Sequence, residues 1–364
     1  MERTHTILRR GWTTGSCATA AAKAAWAALR GQGFPDPVTI TLPGGQEVAF
    51  ALAAHGHGPG SAWAEVVKDA GDDPDVTHGA HVRADVRRGP PGSGVVFRAG
   101  PGVGTVTLPG LPIPPGEPAI NPVPRRMIRT ALTGADGRVP DAEVTISIEG
   151  GAEMARHTLN GRLGIVGGLS VLGTTGIVVP FSCAAWIDSI HRGVDVARAL
   201  GLPHVAGCTG DVSERATRAL YALPEEAMLE MGDFAGGLLK YLRRHPVPRI
   251  TIGGGVAKMT KLAQGFLDLH SRRGQADMTR LAELARGIGA PDALAAAIAQ
   301  AHSVASAFAQ AAGAGHPLGA AVARGAWQTA CDVLAGTPCM LDVLLFDRAG
   351  TLVARHGPHP VAGG

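Results

Sequence analysis

Near Gly150 the spacing of apolar residues changes, and that change restricts the fold more than any other feature of the chain. Before it, apolar residues alternate. Val38 to Leu52 reads VTITLPGGQEVAFAL, two alternating runs around Pro43-Gly44-Gly45, which is a hairpin signal. Ala142 to Glu149 alternates again as AEVTISIE. Beyond Gly150, short apolar runs take turns with helical spacing. Ile187, Ile190, Val194 and Ala197 mark one helix face, and His204 to Cys208, Arg249 to Ile252 and Met340 to Phe346 read as buried strands. The chain is therefore expected to hold two domains. An α+β domain covers 1–150, and an α/β domain with a mostly parallel sheet covers 151–364.

Further elements follow from the same patterns. Thr13-Thr14-Gly15-Ser16 precedes an Ala-rich run, so a capped helix starts there, with an anion seat at its first turn and Lys23 in reach. The HGHGPG segment at 55–60 reads as flexible. Val103 to Leu108 is a short strand and Arg125 to Leu132 a helix. Ser213 is expected to cap a helix with Glu214 in its first turn. One helix is predicted over Val256 to Ser271. A second, long one carries Leu294, Ile298, Ala301, Ala305 and Phe308 on one face. A third covers Leu318 to Leu334, and Gly350 to Ala354 pairs back as a hairpin.

Composition sets the class. The 364 residues carry a net charge of +3, too mild for a nucleic-acid binder, and basic residues occur only as scattered doublets. The 5 cysteines form no CxxC, which argues against a disulfide framework or zinc ribbon and for buried thiols in the cytoplasm. The N-terminal stretch lacks an apolar signal core, and no apolar run is long enough to span a membrane. Four loop histidines fit no metal-ligand spacing, so no metal site is expected. The 52 glycines indicate many turns and close backbone approaches.

Gly164 to Ser182, GIVGGLSVLGTTGIVVPFS, concentrates those glycines. Strand, glycine loop and helix in that order build a nucleotide-type site, while a glycine-rich junction that binds nothing fits equally. Together with VAGCTG at 205–210 and ITIGGG at 250–255 it makes three strands ending in glycine loops, expected along one sheet edge. Lys68 to Asp75, KDAGDDPD, gathers four aspartates on one turn. They suit hydroxyls, cationic groups or a hard cation, and also suit plain turn formation.

The ordered set GWTTGSCATAAAKAA (11–25), VKDAGDDPDVTHG (67–79), GEPAINPVPRRMI (116–128), GGLSVLGTTGIVVPFS (167–182), CTGDVSERA (208–216) and GGGVAKMTKLAQGFLDLHSR (253–272) resembles the CbiD family. These are the cobalt-precorrin-5B C-1-methyltransferases. The resemblance implies transfer of a methyl group from S-adenosyl-L-methionine to C-1 of a corrinoid substrate, cobalt-precorrin-5B, giving cobalt-precorrin-6A in anaerobic-type cobalamin biosynthesis. On that reading Gly167, Gly168, Thr174, Thr175, Thr209, Gly210, Gly253, Gly254 and Gly255 hold the cofactor. Glu214 meets its ribose diol, or else only stabilises its helix dipole. Asp72 and Asp73 act in turnover. Thr13, Thr14, Lys23, Lys68, Asp69, Arg125, Arg126, Lys258 and Lys261 form the pool that meets the substrate. Two rivals remain open: a small-molecule kinase with ATP and Mg²⁺ on Asp69, Asp72 or Asp73, and a non-enzymatic tetrapyrrole carrier. Oligomeric state is not legible in the sequence.

Overall fold

The structure, a computed structural model, describes residues 8–133, 137–271 and 274–361. The first seven residues of the stretch read for a signal core, and Arg272 at the end of the last motif, lie outside them. The chain divides into two compact units, Met1–Cys183 and Ala184–Gly364. The division falls later than 150 because the strands that follow pair backward, onto the first unit. Among the described residues no helix is long and apolar enough to cross a membrane.

The first unit is α+β. It runs β1 (Gly11–Trp12), α1 (Thr14–Leu29), β2 (Val38–Thr41), β3 (Glu47–Phe50), β4 (Ala54–Gly58), β5 (Ser61–Val67), β6 (His81–Arg88), β7 (Val95–Ala99), β8 (Gly102–Val103) and β9 (Thr105–Val106). It continues through α2 (Pro122–Leu132), β10 (Ala142–Ile148), α3 (Gly151–Ala155), β11 (Ile165–Val166), β12 (Gly168–Leu169) and β13 (Ile177–Val178). A five-stranded sheet in the order β4-β5-β6-β10-β7 carries the core. Val82, Ala84 and Val86 of β6 and Val144, Ile146 and Ile148 of β10 are buried at every second position. Helix α1 packs on β5 and β6. Its small side chains allow close approach, and 13 of its 16 residues are buried, so it has no solvent face. HGHGPG is not flexible: Ala54–Gly58 is a strand paired with β5. The strand expected over 103–108 is two short pieces, because Gly102 and Gly104 sit in close contact with Ile148, Ile165 and Gly168.

The glycine stretch at 164–182 ends as a seat for α1. Gly15 N–H donates to Leu172 O at 2.9 Å and Thr13 N–H to Gly176 O at 3.1 Å. Ser16 Oγ donates to the same Gly176 carbonyl at 2.8 Å. Gly173 and Gly176 have φ of +152° and +83°. A Cβ on Gly173 would lie 2.3 Å from Thr13 Oγ1, and one on Gly176 would lie 2.9 Å from Ser16 Oγ. The anion seat expected at this helix start is thus filled by the chain's own carbonyls.

The acidic loop is likewise internal. The Arg9 guanidinium grips both Asp69 carboxylate oxygens. Arg9 N–H donates to Asp72 Oδ2 at 2.6 Å, and Asp72 N–H returns a bond to Arg9 O at 3.0 Å. Lys68, 3 % exposed, donates to Asp75 and Thr77. Phe181 N–H donates to Asp73 Oδ1 at 2.8 Å, holding that residue at a left-handed φ of +56°. Asp69, Asp72 and Asp73 act as clasps between distant segments, and Asp75 holds Lys68 and Thr77 within the loop itself.

The second unit is α/β. Its elements are α4 (Cys183–Ala199), β14 (His204–Cys208), α5 (Asp211–Tyr221), β15 (Met228–Glu230), α6 (Ala235–Arg244), β16 (Arg249–Gly255) and α7 (Val256–Ala263). They are followed by α8 (Met278–Gly287), α9 (Asp292–Ala299), α10 (Val304–Gly313), α11 (Leu318–Leu334), β17 (Met340–Phe346) and β18 (Leu352–Pro360). The sheet order is β15-β14-β16-β17-β18, parallel except for β18. Ile250, Ile252, Leu341 and Val343 are buried under α6 and α11 residues such as Leu238, Leu242 and Val322. Several local expectations change. Gly253, Gly254 and Gly255 are strand, paired with Leu344, Leu345 and Phe346, because the register of β17 carries the ladder through them. Helix α7 stops at Ala263, and Gly265 follows at φ +88°. The single helix over 294–308 is two, because Ser303 caps a new start by accepting from Ser306 N–H. Gly210, not Ser213, is the cap of α5, and the Ser213 hydroxyl donates inward to Gly210 O at 2.7 Å.

Two stability tests follow. Gly168→Ala would place a methyl 2.3 Å from Gly102 O, across the β8–β12 pair. A denaturant melt should show a loss of about 1–3 kcal/mol, and unchanged stability would mean the two strands part without cost. Asp69 is held down to about 2 by its hydrogen bond from Arg9, then by Gly71 N–H. Its unfolded value is about 3.9, so its contribution is complete above that pH and vanishes as pH falls through about 2. Asp69→Asn should therefore melt modestly below wild type at pH 7, with the gap closing in acid. A gap independent of pH would remove the Arg9 pairing as its cause.

Candidate active site

In the second unit, β14, β16 and β17 run parallel and end side by side. Cys208 pairs with Gly253, and Gly255 with Phe346. From β14 the chain moves to β15 on one side, and from β16 it moves to β17 on the other. The strand order reverses between them, where an open parallel sheet leaves a crevice beyond its carboxyl ends. A cleft of ≈ 1460 Å³ lies there. At the strand ends it is lined by Thr209, Gly210, Asp211, Gly255 and Phe346. One wall is apolar, from Val304, Phe308, Leu318 and Val353, and the rim carries Lys258, His316, Asp347, Arg348 and Arg355.

The ends of β14 and β16 feed helices directly, and α11, which follows α10 in the chain, also starts beside the cleft. Helix α5 starts after Gly210, α7 after Gly255 and α11 after Pro317, and none has a side-chain cap hydrogen bond. Their first turns point partial positive charge and N–H groups at the cleft. A Cβ added to Gly210 or Gly255 would meet nothing within 4 Å, so a ligand can reach their backbone. Gly253 and Gly254 differ. Added side chains there would meet Thr217 Oγ1 at 2.7 Å and Met259 Sδ at 2.6 Å. They are glycine to admit α5 and α7 against the sheet. Lys258 Nζ donates to Thr209 O at 2.8 Å and pairs with Asp233 at 3.0 Å, tying α7 to the loop after β14. Asp347 accepts from Ala349 and Thr351 N–H, both at 2.8 Å, and those bonds hold its carboxyl below the ordinary range.

The residues expected from sequence divide between the units. Thr209, Gly210, Gly255 and Lys258 line the cleft. Gly253 and Gly254 lie in the strand just behind it, and Glu214 sits one turn into α5. Lys261 is buried and donates to Leu269 O at 3.0 Å. Gly167, Gly168, Thr174 and Thr175 belong to the first unit, in the stretch that seats α1. Thr13 caps α1, Thr14 is buried in its first turn, and Lys23 donates to Thr39 O at 2.7 Å. Lys68, Asp69, Asp72 and Asp73 form the clasp described above. Arg125 is a strut, donating to Ile120 O, Pro118 O and Glu117, while Arg126 is exposed on α2.

Asp211, Phe308, Arg348 and Arg355 line the cleft without having been singled out from sequence. Asp211 and Arg348 were within reach, since each follows a predicted strand by a few residues. Phe308 and Arg355 come from segments whose nearness depends on how α10 and β18 pack, which no local pattern encodes.

The chain matches the CbiD family over residues 1–180, and the CbiD C-terminal domain over residues 268–357. It is 60% identical to the cobalt-precorrin-5B C(1)-methyltransferase of Agrobacterium fabrum, over 99% of this chain and 97% of that one. It is 59% identical to the proteins of the same name from a Bradyrhizobium species and from Halorhodospira halophila. Those alignments cover 97% of this chain in both cases and 96% and 95% of theirs. A solved cobalamin biosynthesis protein (cbiD) from Archaeoglobus fulgidus aligns with a TM-score of 0.40 at 29% identity, over 73% of this chain and 83% of that one. With six sequence motifs in order, two family regions matched and relatives alike from end to end, the chain belongs to the CbiD family.

Proposed function

We infer that this chain is a cobalt-precorrin-5B C(1)-methyltransferase of cobalamin biosynthesis, with S-adenosyl-L-methionine as methyl donor. The activity rests on near-full-length likeness to relatives of that name. The place of the donor rests on the cleft where β14 and β16 part. Gly210 and Gly255 leave their backbone open there, at the uncapped starts of α5 and α7. Those N–H groups suit the amino-acid carboxylate of the donor. Asp211, which lines the cleft, joins Glu214 as a candidate acceptor for the ribose diol.

Bound there, the donor supplies a methyl group already activated by its sulfonium. The protein then has to align that group with a carbon of the macrocycle and keep water away. Val304, Phe308 and Leu318 offer an apolar wall for that purpose. Lys258 holds the Thr209 carbonyl and so fixes the loop that carries Gly210. A protein nucleophile is not required. The buried thiols of Cys17, Cys331 and Cys339 are pushed up to about 12, 12 and 11 by desolvation, far from thiolate at neutral pH. Cys183 is exposed, so the expectation of buried thiols holds for four of the five cysteines. The kinase reading loses support, because Asp69, Asp72 and Asp73 already accept bonds from Arg9, Gly71 and Phe181.

Incubation with labelled S-adenosyl-L-methionine and cobalt-precorrin-5B should yield a corrinoid heavier by one labelled methyl. No labelled corrinoid from folded protein would sink the reading. Gly255→Ala separates the site from the fold. Its φ of −67° suits any residue, and the added methyl meets open space. The donor's dissociation constant should rise about tenfold, or ~1.4 kcal/mol, at an unchanged melting temperature. Equal affinity would move the donor out of this cleft.

A further inference from the structure

The first unit has a cleft of its own, of ≈ 420 Å³, between β7 and α2. Strand β7 closes the five-stranded sheet, so its outer backbone edge has no strand partner. Helix α2 presents Arg125 and Arg129 one turn apart on one face. Both guanidiniums lie over the ring of buried Phe97, at 5.3 and 5.0 Å from its centroid. Arg98 and Glu117 also line the cleft.

Two of these three cations are spent. Arg98 pairs with Glu143 at 3.2 Å. Arg125 donates to Ile120 O at 2.7 Å, Pro118 O at 3.0 Å and Glu117 at 3.1 Å. The guanidinium of Arg129 has no acceptor among the described residues. It is drawn into a half-buried place beside a like charge, which costs free energy on a helix face. Burial first, and Arg125 second, lower its basicity. Glu143 is already shared between Arg98 and Arg87, and Glu117 is taken by Arg125, so among the described residues Arg129 is the cleft guanidinium left as a planar, unclaimed fork. Such a fork can grip a carboxylate through two parallel hydrogen bonds.

We propose that this cleft is a carboxylate-binding site in which Arg129 grips the ligand. Resting on the methyltransferase reading, the ligand is a carboxylate arm of the corrinoid, since the donor's carboxylate has its place at the helix starts of the second unit.

The test is calorimetric titration of wild type, Arg129→Met and Arg129→Lys. The probes are a cobalt corrinoid with free carboxylate arms, its methyl ester, and S-adenosyl-L-methionine, each with a melting curve alongside. Arg129→Met should weaken the free acid about tenfold, leave the ester and the donor unchanged, and keep the wild-type melting temperature. Arg129→Lys should recover part of the loss. Added salt should weaken the wild type more than the Met variant. Equal affinity of wild type and Arg129→Met for the free acid overturns the site, as does an equal loss for acid and ester. A fall in donor affinity instead keeps a carboxylate site and overturns the corrinoid assignment. Binding is read without turnover. A wild type that grips the free acid through Arg129 yet transfers no methyl overturns the methyltransferase reading alone. A protein that methylates with the same KM in wild type and Arg129→Met overturns the cleft alone.

Discussion

The parallel register of β14, β16 and β17 is the constraint on which the second unit depends. It makes the strands finish together, at Cys208, Gly255 and Phe346. Because β14 and β16 send the chain in opposite directions, a cleft is left beyond their ends. Because each of the two passes almost at once into a helix, the helix starts arrive at the cleft with their N–H groups free of side-chain caps. The openness of this cleft therefore comes from backbone geometry. The side chains added around it, Phe308 and Asp211 among them, refine a site that the topology has already made polar at the strand ends and apolar at its wall.

The first unit shows the opposite use of the same local chemistry. A helix start rich in threonine and glycine is equally able to hold an anion or to accept carbonyl oxygens. Here Leu172 and Gly176 supply the carbonyls, and Gly173 and Gly176 adopt left-handed φ to bring them in. The TTGS and GTTG motifs are complements of one another. Likewise the aspartates of the acidic loop are spent on Arg9, Lys68 and Phe181. The bonds to Arg9 and Phe181 join segments far apart in sequence, and the bond to Lys68 closes the loop on itself. That explains why so much charge stands in one turn without any need for a cation.

Period and punctuation are readable from the residues alone. The alternation in 142–149, the strands at His204–Cys208 and Met340–Phe346 and the helix at Leu318–Leu334 lie where spacing predicts. These depend on local preference and burial of one face, and both are written in the chain. What fails depends on partners. Gly253 to Gly255 look like a loop until β17 supplies a ladder. An Ala-rich run hides the break before Ser303, because alanine satisfies any helical phase. The stretch 164–182 reads as part of the parallel sheet because its glycines resemble those of a nucleotide loop. Its short strands instead pair with β1, β8 and β9.

Glycine is the main source of ambiguity, and the structure separates its uses by what a side chain would strike. Gly168 faces the backbone of Gly102, Gly254 faces Met259 and Thr209, and Gly207 faces Leu238. Each is glycine so that two pieces of the fold can touch. Gly210 and Gly255 face nothing, and neither has a left-handed φ that would require glycine. Packing does not explain them and conformation does not explain them. Gly44, Gly161, Gly287 and Gly313 share that openness, and what sets Gly210 and Gly255 apart is that both line the cleft at helix starts without side-chain caps, where a second molecule can approach the backbone. The strand ends of the second unit thus combine open glycine backbone with a cleft, whereas the glycine stretch of the first unit holds the start of α1 through the Leu172 and Gly176 carbonyls.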